Sequence, residues 1–241
     1  MVVMFECAQN FFENFASYYL KMEENSEGES YFFKYRHTYD VVDYMKQLVR
    51  DKKEKDLYLT VAIFHDLGRF RQKEKYQAYN DYQTKFDHAE ESVFVLKENN
   101  WFLKNHVSLK EEQMLCFAIS SHNKYQVEPG SKEEVELAGA LRDADKLAVL
   151  KRPCYISNPI GEVSDEVYEM ILQHKLVPHA LIKTNADYAL TEIAYIFDLV
   201  LPRSFEILRE DNHLDLRFDL LKGSKRYEDI KCIINDYLSS H

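Results

Sequence analysis

Several polar side chains of types that bind metal ions interrupt the apolar segments of this sequence. They form the candidate cluster, which comprises His37, His65, Asp66, His88, His122 and Asp145. Each lies on or at the end of an apolar helical face, where burying an imidazole or a carboxylate costs free energy unless the group is paired. A shared metal site would satisfy all of them together. Imidazole and carboxylate ligands without thiolates suit Mn²⁺, Fe, Co²⁺, Ni²⁺ or Zn²⁺ better than Ca²⁺ and argue against a structural zinc site; Mg²⁺ is a further candidate.

The segment at the centre of this pattern runs from Thr60 to Arg69. It is an apolar run that ends in His65 and Asp66, and Gly68 follows two residues later. A single His-Asp pair is common by chance and would more often be satisfied by neighbouring groups. The ordered series of further histidines and a distal aspartate is what favours a metal site. Because glycine commonly ends helices, Gly68 predicts the C-terminal end of the helix that carries the pair.

Apolar residues at spacings of three and four predict the helices that position the cluster. The predicted helices cover about 3–22, 31–50, 57–68, a segment opened by Asp87 as N-cap, a segment from a Ser108 cap to His122, 132–151, 164–175, 185–209 and 226–238. Pro202 predicts a kink or a break within the 185–209 helix. We find no repeat and no linker, so the sequence predicts a single domain over residues 1–241.

The helix over residues 132–151 contains two aspartates, Asp143 and Asp145. Positions two residues apart lie about 200° apart around a helix, so only one of the two should face the core. The apolar stripe that includes Ala138 and Leu141 selects Asp145. The sequence therefore predicts that Asp145, and not Asp143, joins the cluster.

The segment from Arg69 to Phe86 shows no clean helical period. It combines five basic residues with three tyrosines, a composition that could bind a phosphate group and stack on a nucleotide base. A solvated charged loop is the more common explanation for such a composition. The segment is therefore predicted to be a loop, with substrate contact as a hypothesis.

The composition indicates an all-α protein and excludes some classes of partner. The chain has 241 residues, 46% of them hydrophobic, with only six glycines and five prolines, which favours long helices over many short strands. A net charge of −10 argues against binding to nucleic-acid polymers or anionic membranes, but a small anionic substrate stays compatible if metal or a local basic group offsets that charge.

Three features of the sequence predict a cytoplasmic protein. They are the four scattered cysteines, the absence of a basic N-terminal start and the absence of an apolar run of roughly 18 residues.

In their order and approximate spacing, the cluster residues resemble the HD-domain metal-dependent phosphohydrolase superfamily. The signature of that superfamily is a histidine, a His-Asp pair and a distal aspartate on separate helices, matched here by His37, His65-Asp66 and Asp145. His88 and His122 fall where members with two metal ions place two further histidines. The resemblance covers about residues 31–150 and implies an HD-type helical bundle, followed by additional C-terminal helices over about 163–241.

The resemblance also implies roles for individual residues. One metal ion would be held by His37, His65, Asp66 and Asp145. Asp66 would bridge to a second ion held by His88 and His122, and a metal-activated hydroxide would attack phosphorus. Lys146 and Arg69 are the candidates for phosphate contacts, with surface ion pairs as the equally weighted alternative.

The resemblance implies a phosphomonoesterase or phosphodiesterase that acts on a nucleotide or a similar small phosphorylated substrate. Hallmarks of three branches are missing: no Gly-Tyr-Pro motif follows, Gly68-Arg69 replaces the Glu-Asp of alarmone hydrolases, and the Pro-Glu of deoxynucleotide monophosphatases is absent. Two alternatives stay open. One is a di-iron oxygenase on the same fold, and the other is a non-catalytic sensor that only binds nucleotide. The sequence does not indicate an oligomeric state.

Overall fold

The computed structural model describes residues 4–23, 30–152 and 161–241. Across these ranges every regular element is a helix, which confirms the all-α prediction. The α-helices are α1 (Met4–Met22), α2 (Tyr31–Leu48), α3 (Lys55–Phe64), α4 (Leu67–Tyr76), α5 (Asp81–Thr84), α6 (His88–Glu98), α7 (Trp101–Lys104), α8 (Leu109–Ser121), α9 (Lys132–Lys151), α10 (Asp165–Leu172), α11 (Asn185–Ile193), α12 (Pro202–Asp211), α13 (His213–Leu221) and α14 (Tyr227–Ser239). Short 3₁₀ helices cover His179–Leu181 and Ala194–Asp198. Cys154 and most of residues 23–30 and 152–161, which the sequence places between predicted helices, lie outside the described ranges.

Contacts divide the chain into two compact units, residues 1–145 and 146–241. In the first unit α3 is the central helix and packs on α1, α2 and α8, while α4 packs on α6. Val61 to Phe64 of α3 are fully buried. His65 and Asp66, which directly follow this apolar helix, are therefore buried as well. The expectation of a single domain stays a prediction.

In the second unit α11 packs on α13, and α14 packs on α10 and α13. Arg217 of α13 is buried and donates hydrogen bonds to the backbone carbonyls of Val149 and Leu150 and to the Glu192 carboxylate. These carbonyls belong to the last turn of α9, where a cation is favoured by the helix dipole. Pro202 begins α12, so the predicted break is confirmed.

Among the described residues, no helix has both the length and the apolar composition needed to cross a bilayer.

The predictions for Gly68 and for the segment after it were wrong. The helix α3 ends at Phe64, and Gly68 lies in the first turn of α4, which continues to Tyr76. The helical period was hidden because α4 buries polar side chains, Gln72 and Lys73, that a sequence pattern counts as solvent-facing.

Gly68 is required by the close approach of α4 to α6. A Cβ atom at this position would lie 2.1 Å from the backbone oxygen of His88 and 2.9 Å from Cβ of Glu91. No side chain tolerates such a contact with backbone, so the two helices can meet at this distance only over a glycine. The contact places Asp66, just before α4, next to His88, the first residue of α6.

Gly68→Ala is expected to lower the free energy of unfolding by about 1–3 kcal/mol, because the added methyl group forces α4 and α6 apart. Metal affinity should fall as well, since the separation moves Asp66 away from His88. Urea unfolding and metal titration would measure the two effects. Gly223→Ala is the control: apart from its chain neighbours, no atom of the described residues lies within 4 Å of a Cβ added there, and its φ of +99° should cost about 1 kcal/mol without changing metal binding. Unchanged unfolding and metal affinity in Gly68→Ala would contradict the role given to this glycine.

Candidate metal centre

The six cluster residues come from separate elements of the first unit and meet at one point. His37 lies within α2, His65 and Asp66 form the junction of α3 and α4, His88 begins α6, His122 caps the C-terminus of α8, and Asp145 lies on α9. Asp87 accepts hydrogen bonds from the amides of Ala89 and Glu90, and Ser108 forms a capping box with Glu111. These caps confirm the predicted starts of α6 and α8, and the Asp87 cap fixes His88 in the first turn of α6.

The carboxylate of Asp66 is the centre of the cluster. Its Oδ2 lies 3.6 Å from Nε2 of His65 and 3.8 Å from Nε2 of His37. Its Oδ1 lies 3.3 Å from Nε2 of His88 and 3.8 Å from Nε2 of His122. Asp66 is only 3% exposed, so each oxygen faces its own pair of imidazoles inside the protein. Asp66 would therefore be able to help hold a metal ion with either pair of imidazoles.

Asp145 joins the group around Oδ2 of Asp66. Its Oδ1 lies 2.9 Å from Nε2 of His37 and 3.8 Å from Nε2 of His65. We call His37, His65, Asp145 and Oδ2 of Asp66 the first half of the centre. The second half consists of His88, His122 and Oδ1 of Asp66.

The prediction that Asp145, and not Asp143, is the aspartate buried in the core was wrong. Asp143 is fully buried, whereas the side chain of Asp145 is 25% exposed. Residues 137–144 of α9 are all buried, so this part of the helix has no solvent-facing side on which Asp143 could lie. The side chain at the cluster is nevertheless that of Asp145, through its contact with His37.

The charges around the cluster favour the protonation states that bind metal. Burial acts to raise the pKa of Asp66, but the ammonium of Lys34, together with hydrogen bonds from neighbouring imidazoles, outweighs it and holds that pKa well below its usual range. Burial likewise opposes ionisation of Asp145, and the hydrogen bond with His37 outweighs it and lowers the pKa. Burial lowers the pKa of His65. Ionised carboxylates beside a neutral imidazole are the forms that coordinate divalent ions.

The backbone and side-chain contacts of the histidines orient their nitrogens for coordination. Nδ1 of His65 lies 2.8 Å from the carbonyl of Ala62, and Nδ1 of His122 lies 2.7 Å from that of Ile119. Donation from Nδ1 leaves each Nε2 with a lone pair directed into the cluster. His65 Nε2 is buried without a hydrogen-bond partner in the described part of the chain, and Nε2 of His88 and His122 face each other at 3.0 Å. A cation beside these nitrogens would satisfy them, so the residues fit a metal site.

Comparison with known families agrees with this geometry. The family model of the HD domain matches residues 35–150, the stretch that contains every cluster residue. Residues 35–150 form an HD domain. HD domains are typical of metal-dependent phosphohydrolases and bind divalent metal ions, and the cluster offers two groups of ligands that could hold one. No curated protein and no solved structure matches the chain significantly.

Lys34 is a neighbour of the cluster that the sequence analysis missed. Its Nζ lies 2.9 Å from Oδ2 of Asp66, and its side chain is 11% exposed. The sequence did contain a signal, because Lys34 precedes His37 by three residues and therefore shares its inward face of α2. A buried ammonium ion is rare enough that this position could have been selected from the helical pattern.

Asp81 is the second missed residue of the HD domain. Its Oδ2 lies 2.5 Å from Nδ1 of His88, and its Oδ1 lies 2.6 Å from Nη1 of Arg69. Burial opposes ionisation of Asp81, but the contact with His88 lowers its pKa to about 2. No periodic pattern marks Asp81, because it lies in a four-residue helix between α4 and α6.

The two predicted phosphate contacts have protein partners in the structure. Nη1 of Arg69 donates to the carbonyl of Tyr79 as well as to Asp81, and its Nε lies 3.7 Å from Oδ1 of Asp66. Nζ of Lys146 lies 2.7 Å from Oδ2 of Asp198. Arg69 is thus beside the cluster, whereas Lys146 makes its ion pair within the second unit. Contact of either residue with a substrate phosphate stays a prediction.

Proposed function

We propose that this HD-domain protein is a metal-dependent phosphohydrolase, acting as a phosphomonoesterase or phosphodiesterase on a nucleotide or a similar small phosphorylated substrate. The observation that carries the proposal is the buried Asp66 carboxylate, whose two oxygens face two separate pairs of imidazoles. The proposed cofactor is one or two divalent ions among Mn²⁺, Fe, Co²⁺, Ni²⁺, Zn²⁺ and Mg²⁺. Bound there, such ions supply activation of water and neutralisation of charge on the phosphoryl oxygens.

The residues around the cluster support a small anionic substrate. Lys34 and Arg69 place two cationic groups within 2.9 and 3.7 Å of Asp66 oxygens, in a protein whose net charge is −10. These charges offset the repulsion that a phosphorylated molecule would otherwise meet. The histidines of the cluster are 0–6% exposed, which favours a compact phosphoryl group at the metal centre. The negative surface disfavours a nucleic-acid polymer or an anionic membrane as the partner.

The proposal is tested by chromatographic turnover of nucleoside mono-, di- and triphosphates, cyclic nucleotides and alarmones with Mn²⁺, Co²⁺ or Ni²⁺. Chromatography detects cleavage of diesters, which a phosphate-release assay would miss. We expect one class to be hydrolysed by the wild-type protein and by Asp43→Ala, which changes an exposed carboxylate of α2. Asp66→Ala should be inactive. Demonstrated metal binding without turnover of any substrate would contradict the proposal, and iron-specific oxygen consumption would favour the oxygenase alternative.

A further inference from the structure

The carboxylate of Asp81 connects the second half of the metal centre to the segment between α4 and α6. Its Oδ2 lies 2.5 Å from Nδ1 of His88 and accepts a second hydrogen bond of 3.3 Å from Nδ2 of Asn123. Nε2 of the same His88 ring faces Oδ1 of Asp66 at 3.3 Å. Asp81 therefore touches the imidazole on the side opposite to the cluster.

The other oxygen of Asp81 is held by two side chains of α4. Nη1 of Arg69 donates to Oδ1 at 2.6 Å, and Nε2 of Gln72 donates to it at 2.9 Å. Nη1 of Arg69 also donates a hydrogen bond of 2.7 Å to Oε1 of Gln72, and Gln72 is fully buried. With one oxygen held by α4 and the other on His88, the Asp81 carboxylate has a fixed orientation.

We propose that Asp81 is a positioning residue for His88 and sets the metal affinity of the second half. A carboxylate that accepts the Nδ1 proton holds the imidazole in the tautomer whose Nε2 lone pair faces Asp66, and its charge makes that nitrogen a stronger ligand. At Nδ1, His65 and His122 contact neutral backbone carbonyls, whereas His88 contacts a charged carboxylate. The segment between α4 and α6 thereby contributes Asp81 to the metal centre. The inference rests on the metal-binding part of the proposed function.

The experiment compares wild-type protein with Asp81→Asn by Mn²⁺ titration calorimetry and by metal analysis after dialysis. We expect two classes of bound ion in the wild type. One class should weaken by about 10–100-fold in Asp81→Asn, which is typical of losing an outer partner of a ligating histidine, while the other class stays within about twofold. Asp43→Asn, which changes an exposed carboxylate of α2, should match the wild type.

Two further measurements separate positioning from a general structural effect. In metal-free protein, ¹⁵N NMR of the His88 ring should show protonation at Nδ1 in the wild type and a larger share of the Nε2 tautomer in Asp81→Asn, with unchanged circular dichroism. In a His88→Ala background, Asp81→Asn should cause no further loss of metal affinity, because the residue acts through His88.

The failures of this inference and of the proposed function are distinguishable. A wild-type protein that binds no ion overturns the proposed function and this inference with it. Ion binding that is equal in wild type and Asp81→Asn, whether in one class or two, overturns only the role of Asp81. Equal weakening of both classes, or additive losses in the His88→Ala background, would show that the substitution acts on the whole fold and would also overturn it.

Discussion

Asp66→Asn is expected to weaken binding of both ions together by at least about 100-fold, more than the roughly 10–100-fold typical of losing an outer partner. The reason is that both halves of the centre share this carboxylate: Oδ2 faces His37 and His65, and Oδ1 faces His88 and His122. An amide offers one neutral oxygen in place of two charged ones, so neither half keeps its anionic ligand from Asp66. Hydrolytic turnover should be lost with the ions. Metal analysis after dialysis and calorimetric titration would measure the effect.

Substitutions of the two aspartates of α9 provide matched comparisons for Asp66→Asn. Asp145→Asn should weaken only one class of ion, because Asp145 contacts His37 and His65 and belongs to the first half. Asp143→Asn should leave both classes within about threefold, once circular dichroism shows that this buried substitution folds. If Asp143→Asn and Asp145→Asn lose metal equally, the assignment of Asp145 to the cluster is wrong. If Asp66→Asn loses only one class, Asp66 does not bridge.

Lys34→Met is expected to destabilise the metal-free protein by about 3 kcal/mol and the metal-loaded protein by much less. Removing one member of a buried ion pair leaves the other charge uncompensated, at a typical cost of about 3–5 kcal/mol. Here the remaining charge is the 3% exposed Asp66 carboxylate, which His65, His88 and Arg69 still compensate in part. A divalent ion at the same carboxylate would replace the missing positive charge. Chemical unfolding with chelator and with saturating Mn²⁺ would measure both differences.

Lys46→Met is the matched control for this substitution. Lys46 lies on the same helix as Lys34 and pairs with Asp43, but its side chain is 52% exposed. An exposed ion pair contributes about 0–1 kcal/mol, so this variant should change stability little and independently of metal. A Lys34→Met protein whose loss of stability is the same with and without Mn²⁺ would argue that the ammonium of Lys34 and a metal ion do not act on the same carboxylate.

The cluster could be predicted from sequence because its signal is local. Each of its residues interrupts or ends an apolar face with a period of three and four, and the free-energy cost of burying such groups applies whatever the rest of the fold is. The caps at Asp87 and Ser108 were predictable for the same reason, since a cap depends on amides two or three residues ahead. Family resemblance then supplied the grouping of the residues, and the HD-domain match over residues 35–150 confirms the family.

The errors arose where a residue is determined by a partner distant in sequence. Gly68 resembles a helix stop, but the backbone of His88 excludes a side chain there, and that contact exists only after α4 and α6 pack. Gln72 resembles a surface residue of an irregular loop, yet it is buried because its amide donates to Asp81 and Thr84. The local sequence pattern alone predicts neither contact.

The order and types of the motif residues indicated the family. Helical periodicity and the cost of burying polar groups predicted the all-α class and the members of the candidate cluster, because both are properties of short segments. Only the packed fold shows that the two oxygens of Asp66 face different halves of the centre and that Asp81 contacts His88. These features depend on distances between side chains on different helices. Such distances are set by how the helices pack, and no spacing along the chain encodes them.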